Sequence, residues 1–152
     1  MRQLTRPIKA VLVAALALAG FAAVGPATSA SADTGWTLSL KYPGGDFPNG
    51  GSTTITAYAN ADVGPSPWYI EIFRWDDRPL PLGGSTSPSR IAVCGGGSSC
   101  PVTQSFGVSG YGSSVAHYTA YVSSNSTTSP PANVQATSNG IDILYDHYYG
   151  GG

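Results

Sequence analysis

The residues able to do acid, base or metal chemistry are few: His117, His147, Glu71 and seven aspartates. General acid–base work needs such a group near its operating pH and within hydrogen-bond reach of the reacting proton. His117 alternates with Tyr118 in a period-two run. It is therefore expected to face out, with no neighbour in sequence to orient or tune it. Glycoside hydrolysis needs two carboxyls facing each other across a cleft. Glu71 falls in mid-strand on the outward side, and Asp76 and Asp77 are expected past the strand end in a loop. A serine nucleophile would occupy Gly-x-Ser-x-Gly between a strand and a helix; Gly107-Val108-Ser109-Gly110-Tyr111 lacks the last glycine, and no helical period follows. Asp46, Asp62, Asp76, Asp77, Asp142 and Asp146 are expected near strand ends, where oxygen ligands could converge on calcium. None has the spacing of a calcium loop, and aspartate is an ordinary turn residue. The expectation is a chain with no catalytic residue, cofactor or metal.

Aromatic residues carry more signal. With Trp68, Ile70 and Ile72 inward, period two turns Tyr69, Glu71 and Phe73 outward, along with His117, Thr119 and Tyr121 of a later strand and Leu144 of the last. If those strands are neighbours, Tyr69, Phe73, Trp75, His117 and Tyr121 line one exposed face. Such a patch marks a partner surface: rings stack on sugars, and a broader apolar face takes a protein or a second copy. The alternative is that aromatics favour strands and pair across them whatever the function.

Charge narrows the partners. Arg2, Arg6 and Lys9 precede the apolar run Ala10 to Val24, and Ala30-Ser31-Ala32 forms a small-x-small cleavage site, so residues 1–32 read as an export signal cut after Ala32. The run is shorter than the ~20 residues that span a bilayer, and no second one follows, so no membrane span is expected in the mature chain. Cleavage leaves Lys41, Arg74, Arg78 and Arg90 against eight acidic residues, a net charge of −4. Scattered basic residues on an acidic chain cannot displace counterions from phosphates, which excludes nucleic acid as a partner. Asn125-Ser126-Thr127 matches a glycosylation acceptor, a chance match in a bacterial-looking exported chain.

Export makes Cys94 and Cys100, the two cysteines in the chain, a disulfide. Closing so short a loop removes roughly 2 kcal/mol of chain entropy. Its effect is local, holding a Gly-rich connection between two strands. Parity raises a conflict: Ile91 and Val93 look inward, which turns Cys94 outward, while Cys100 shares the parity of inward Val102. A bulge at the Gly-rich loop would reconcile them.

The elements that position these residues are strands. No apolar repeat at helical spacing runs over three turns, while period-two runs recur near Trp36–Tyr42, Thr53–Asn60, Trp68–Trp75, Ser89–Cys94, Cys100–Phe106, Ser114–Ser123 and Asn139–Tyr145. Gly, Pro and Ser clusters separate them. Seven strands in a domain over 33–145 predict a two-sheet antiparallel sandwich. Ile55, Ala57 and Ala59, then Trp68, Ile70 and Ile72, then Tyr118, Ala120 and Val122, then Ile141 and Ile143 supply its core. The segment 132–137 reads as a connector and residues 146–152 as a flexible tail.

The string Asp62-Val63-Gly64-Pro65-Ser66-Pro67-Trp68-Tyr69-Ile70-Glu71-Ile72-Phe73, with Cys94-x5-Cys100 and Ala120-Tyr121-Val122, resembles a small immunoglobulin-like module of secreted actinobacterial proteins. The resemblance covers most of residues 37–145 and implies an all-β immunoglobulin-like sandwich outside the cell, adhesive or spacing in role, with no catalytic residues to carry over. The segment Asp76 to Ser89 is longer than that pattern implies. In size and style the chain also resembles the secreted enediyne-carrying apoproteins, which have two disulfides where this chain can make one. The function expected is a secreted, non-catalytic binding, adhesion or adaptor module. It would engage an extracellular protein or cell-surface partner through the aromatic face or an open edge strand. A carbohydrate-binding module stacking sugars on Tyr69, Phe73, Trp75 and Tyr121 is the alternative. A small-molecule carrier follows, and a protease inhibitor is weaker still, because the disulfide loop offers only Gly and Ser.

Overall fold

Turn residues cut the chain into short alternating runs, and in the computed structural model each run is a strand. The structure describes residues 35–79, 83–108, 112–125 and 127–146. The strands are β1 (Leu38–Lys41), β2 (Gly51–Ala59), β3 (Tyr69–Asp77), β4 (Ser89–Cys94), β5 (Ser99–Phe106), β6 (Ser114–Ser123), β7 (Ala136–Thr137) and β8 (Ile141–Tyr145). β4 and β6 have the boundaries expected from sequence. The two-residue β7 was missed; it lies inside the expected connector, where Gln135 and Ser138 N–H donate to Val122 and Ala120 C=O. The export signal, Ser109 to Tyr111, Ser126 of the acceptor motif, and His147 with the rest of the tail lie outside the described residues. Asp146, expected to begin that tail, instead belongs to the domain: it is buried and its N–H donates to Phe47 C=O at 3.0 Å.

All pairing between the strands is antiparallel. β1-β2-β5 form one sheet; β4-β3-β6 form the second, with β7 and β8 both on the far side of β6. The two pack as a sandwich consistent with an immunoglobulin-like all-β fold. Between them lie Leu38, Leu40, Ile55, Ala57, Val63, Ile70, Ile72, Tyr118, Ala120, Val122 and Ile143, all buried. Removing that apolar surface from water, at about 25 cal/mol per Å², is the main force holding the sheets together. Trp68 stands just before β3 and is half-buried, meeting Trp36 edge-on at 6.1 Å between ring centroids.

The cysteine conflict resolves through a bulge, which lies inside β4 rather than at the Gly-rich loop where it was expected. Ile72 faces Ala92 but Phe73 faces Arg90, so Ile91 is the extra residue of β4. Ala92 and Cys94 thereby turn to the core, and Val93 turns out, 44% exposed, against the inward orientation expected of it. The disulfide joins β4 of one sheet to β5 of the other, with 5.6 Å between Cα atoms. The crossing loop is further zipped to the chain before β3. Gly96 N–H donates to Val63 C=O (3.0 Å), Val63 N–H to Gly97 C=O (2.8 Å), and Gly97 N–H to the Asp62 carboxylate (2.6 Å).

Candidate functional site

The outer face of the second sheet is where the rings were expected, and the register puts them there: Tyr69, Glu71, Phe73 and Trp75 of β3 lie opposite Ser123, Tyr121, Thr119 and His117 of β6. Exposure is the part that fails. Phe73 and Glu71 have no accessible surface, and Tyr69, Trp75 and Tyr121 are half-buried. Phe73 meets Tyr121 edge-on at 5.6 Å. Tyr69 lies close against Gly95, where a Cβ would stand 2.9 Å from its ring. Period two tells which side of a sheet a residue leaves from, but not what lies over that side, so the open aromatic platform expected here is not formed. Glu71, rather than facing solvent, is enclosed near Arg90 with 3.7 Å between charged atoms.

At the lower end of that face a polar cluster forms that sequence reasoning missed. His117 Nδ1 lies 2.8 Å from the Asp142 carboxylate of β8, and Nε2 lies 3.0 Å from the Asp77 carboxylate of β3. The Trp75 indole stacks on the imidazole, centroids 5.1 Å apart and planes 17° from parallel. So His117 is neither solvated nor without partners. They sit 40 residues before it and 25 after it, and only strand pairing brings them close. Burial would lower its pKa, but the hydrogen bonds and charges of Asp142 and Asp77 outweigh that and raise it above 6.5. Asp77 is held below its ordinary 3.8 by the Ser85 hydroxyl first and His117 second. Ser85 donates to Asp77 and not to the imidazole. The order Ser–Asp–His therefore gives Ser85 no base to activate it as a nucleophile.

Asp76, expected in a loop with Asp77, is instead on β3 and points inward. Arg74 grips it with two nitrogens, the closest contact 2.7 Å, and side-chain exposures of 16% and 10% make this a largely desolvated pair. Tyr145 Oη donates to the same carboxylate at 2.8 Å, Arg74 Nη1 donates to Gln104, and the guanidinium lies 5.3–5.8 Å from the ring centres of Phe106, Tyr118 and Tyr145. Burial lowers the Arg74 pKa, but the hydrogen bond and charge of Asp76, with the adjacent Tyr118 and Tyr145 hydroxyls, raise it more, to above the ordinary guanidinium value. Parity was the available signal, because Arg74 and Asp76 continue the inward series Ile70, Ile72. A cleft of about 270 Å³ opens beside Arg74, Arg78, Ser105, Val108, Tyr145 and Asp146. Of the six aspartates considered for calcium, Asp77 and Asp142 meet at His117, while Asp76 pairs with Arg74. Among the described residues no three His, Cys, Asp or Glu side chains converge as metal ligands.

The sheet edges differ in how they are guarded. Asn60 N–H donates to Thr37 C=O, so Leu38 and Leu40 turn their backbone groups away from β2. The Asn139 amide takes the place of a strand there, accepting from Leu40 N–H (2.9 Å) and donating to Leu40 C=O (3.3 Å). On β5, Ala59 N–H bonds Ser98 C=O, so Ser99, Pro101, Thr103 and Ser105 face the open side. Pro101 has no N–H to offer a newcomer. On β8, Phe47 bonds Leu144 and Asp146. On β4 the alternation is set by Ala120 C=O, which accepts from Ser138. Residues 117, 119 and 121 must then face β3, and Ile70 and Ile72 must face β4. Cys94 and Ala92 answer Ile70 and Ile72, which leaves the N–H and C=O of Val93 pointing outward. Among the described residues β4 pairs only with β3.

Comparison with family models, with curated proteins and with solved structures finds no match for this chain.

Proposed function

We propose that the protein is an exported, non-catalytic binding module that takes an extended segment of an extracellular or cell-surface protein as an added strand on the outer edge of β4. The observation that carries this reading is Val93: its side chain is 44% exposed and its backbone groups face away from β3. The β1, β5 and β8 edges each meet a side chain, a proline or a short backbone bridge instead. Backbone hydrogen bonds to an edge supply affinity in strand addition, and alternate side chains supply selectivity. The Ile91 bulge restricts the usable edge to the end near Cys94. Export rests on the leader and is in keeping with a disulfide, which persists in oxidising surroundings.

The test is capture from culture supernatant and cell-surface extract of the producing organism, using wild type, Val93→Pro and Thr103→Pro. Proline at position 93 removes an outward N–H without touching the ladder to β3, so the fold should survive while the partner is lost. Thr103 likewise turns its N–H away from its paired strand, on the proline-guarded edge of β5, and its proline variant should still capture. Equal capture by all three chains would end the reading. Retention on polysaccharide that disappears with Tyr121→Ala would replace it with the carbohydrate one.

A further inference from the structure

The contacts of His117 fix its charge by hydrogen-bond logic. Ionised carboxylates only accept, and a neutral imidazole has one N–H. Yet both ring nitrogens lie within 3.0 Å of a carboxylate oxygen, Asp142 on one side and Asp77 on the other. Both bonds can form together only if the ring carries two protons. The indole stacked beneath it favours the same state, since an aromatic face attracts a cation.

We propose that Asp77, His117 and Asp142 form a pH-gated clasp in which the imidazolium ties the end of β3 and the strand β8 to β6, and loss of one proton releases one of the two. The three strands meet here in register: His117 lies directly opposite Trp75 of β3 and Asp142 of β8. From β3 come Trp75 and Asp77, with Ser85 bonded behind Asp77; from β8 comes Asp142; Val115 and Thr119, two positions to either side on β6, are uncharged. Among the described residues these two aspartates are the charged groups that act on the ring. The clasp does not depend on how β4 is used.

The direction of the dependence follows. Because the folded imidazole holds its proton more tightly than an unfolded one, the clasp contributes fully below pH 6.5 and is lost as pH rises through the raised folded value. Asp77 is shifted down, so its share is present above its unfolded value of 3.8 and is lost as pH falls through its lower folded one. The clasp is closed between those limits and opens on the alkaline side by deprotonation of His117.

The experiment is ¹⁵N and ¹³C NMR titration of His117 in a His147→Gln background, which leaves one histidine in the chain. The expected spectrum at pH 6.5 is that of a doubly protonated ring. Its midpoint should lie above that of an unperturbed imidazole and move down in Asp142→Asn and again in Asp77→Asn/Asp142→Asn. Hydrogen-exchange protection of β8, corrected for intrinsic rates and compared with β2 in the same sample, should fall as His117 loses its proton and stay flat in His117→Gln. A singly protonated ring at pH 6.5, a midpoint indifferent to both asparagine variants, or β8 protection that ignores the titration would each overturn the proposal.

Discussion

Replacing Arg74 by methionine should be among the costliest single changes outside the apolar core. Methionine keeps much of the length that lies against Phe106, Tyr118 and Tyr145 but removes the charge. That leaves the Asp76 carboxylate, 7% exposed, with the Tyr145 hydroxyl as its one remaining side-chain donor among the described residues and no compensating cation. Breaking a buried pair by deleting one partner costs about 3–5 kcal/mol. For a domain of this size that corresponds to a fall in Tm of roughly 12–20 °C. The physical cause is an orphaned charge rather than a lost attraction, so removing the second charge should return most of the loss. Arg74→Met/Asp76→Leu should lie within about 2 kcal/mol of wild type, a positive coupling between the two sites. Urea denaturation of the four chains of the cycle, with equal m-values confirming a common fold, measures it. An Arg74→Met cost below about 1 kcal/mol, or a double variant no better than the single one, would show that the pair is solvated and that this end of the sandwich is not held as described.

Two further outcomes follow from the core. The Tyr118 hydroxyl is buried, has no hydrogen-bond partner among the described residues and has its pKa pushed up by burial, so Tyr118→Phe should be neutral or stabilise by up to about 1 kcal/mol in the same assay, whereas Tyr118→Ala should cost ~3–5 kcal/mol. Removing the Cys94–Cys100 bond by alanine at both positions should lower stability by about 2 kcal/mol without unfolding the domain, read as a modest Tm shift that dithiothreitol reproduces in wild type.

Much of the architecture is legible along the chain because its cause is local. Alternation of Ile55 with Thr56, or of Tyr118 with His117 and Thr119, reflects the two-residue pleat, and the Gly and Pro clusters bound each strand by their own backbone preferences. Seven strands, the inward series and the disulfide follow from such features. β7 does not, because two residues carry no periodicity; they become a strand only when Ala120 and Val122 offer carbonyls. Val93 was placed inward because a bulge at Ile91 reverses parity, and nothing in Arg90-Ile91-Ala92 marks the extra residue.

The candidate site divides along the same line. By itself the sequence determined which side of a strand the rings leave from and that the chain is acidic and poor in catalytic groups; the parity that turns Arg74 and Asp76 inward was present in it, but Asp76 was expected in a loop, and only the structure extends β3 through it. The tertiary structure alone decided that Phe73 is enclosed, that His117 lies between Asp77 and Asp142, and that β4 is the edge left open. Periodicity is a property of one strand. Burial, partners and free edges belong to pairs of strands brought together from distant parts of the chain, and their energies exist only once the sheets have closed on each other.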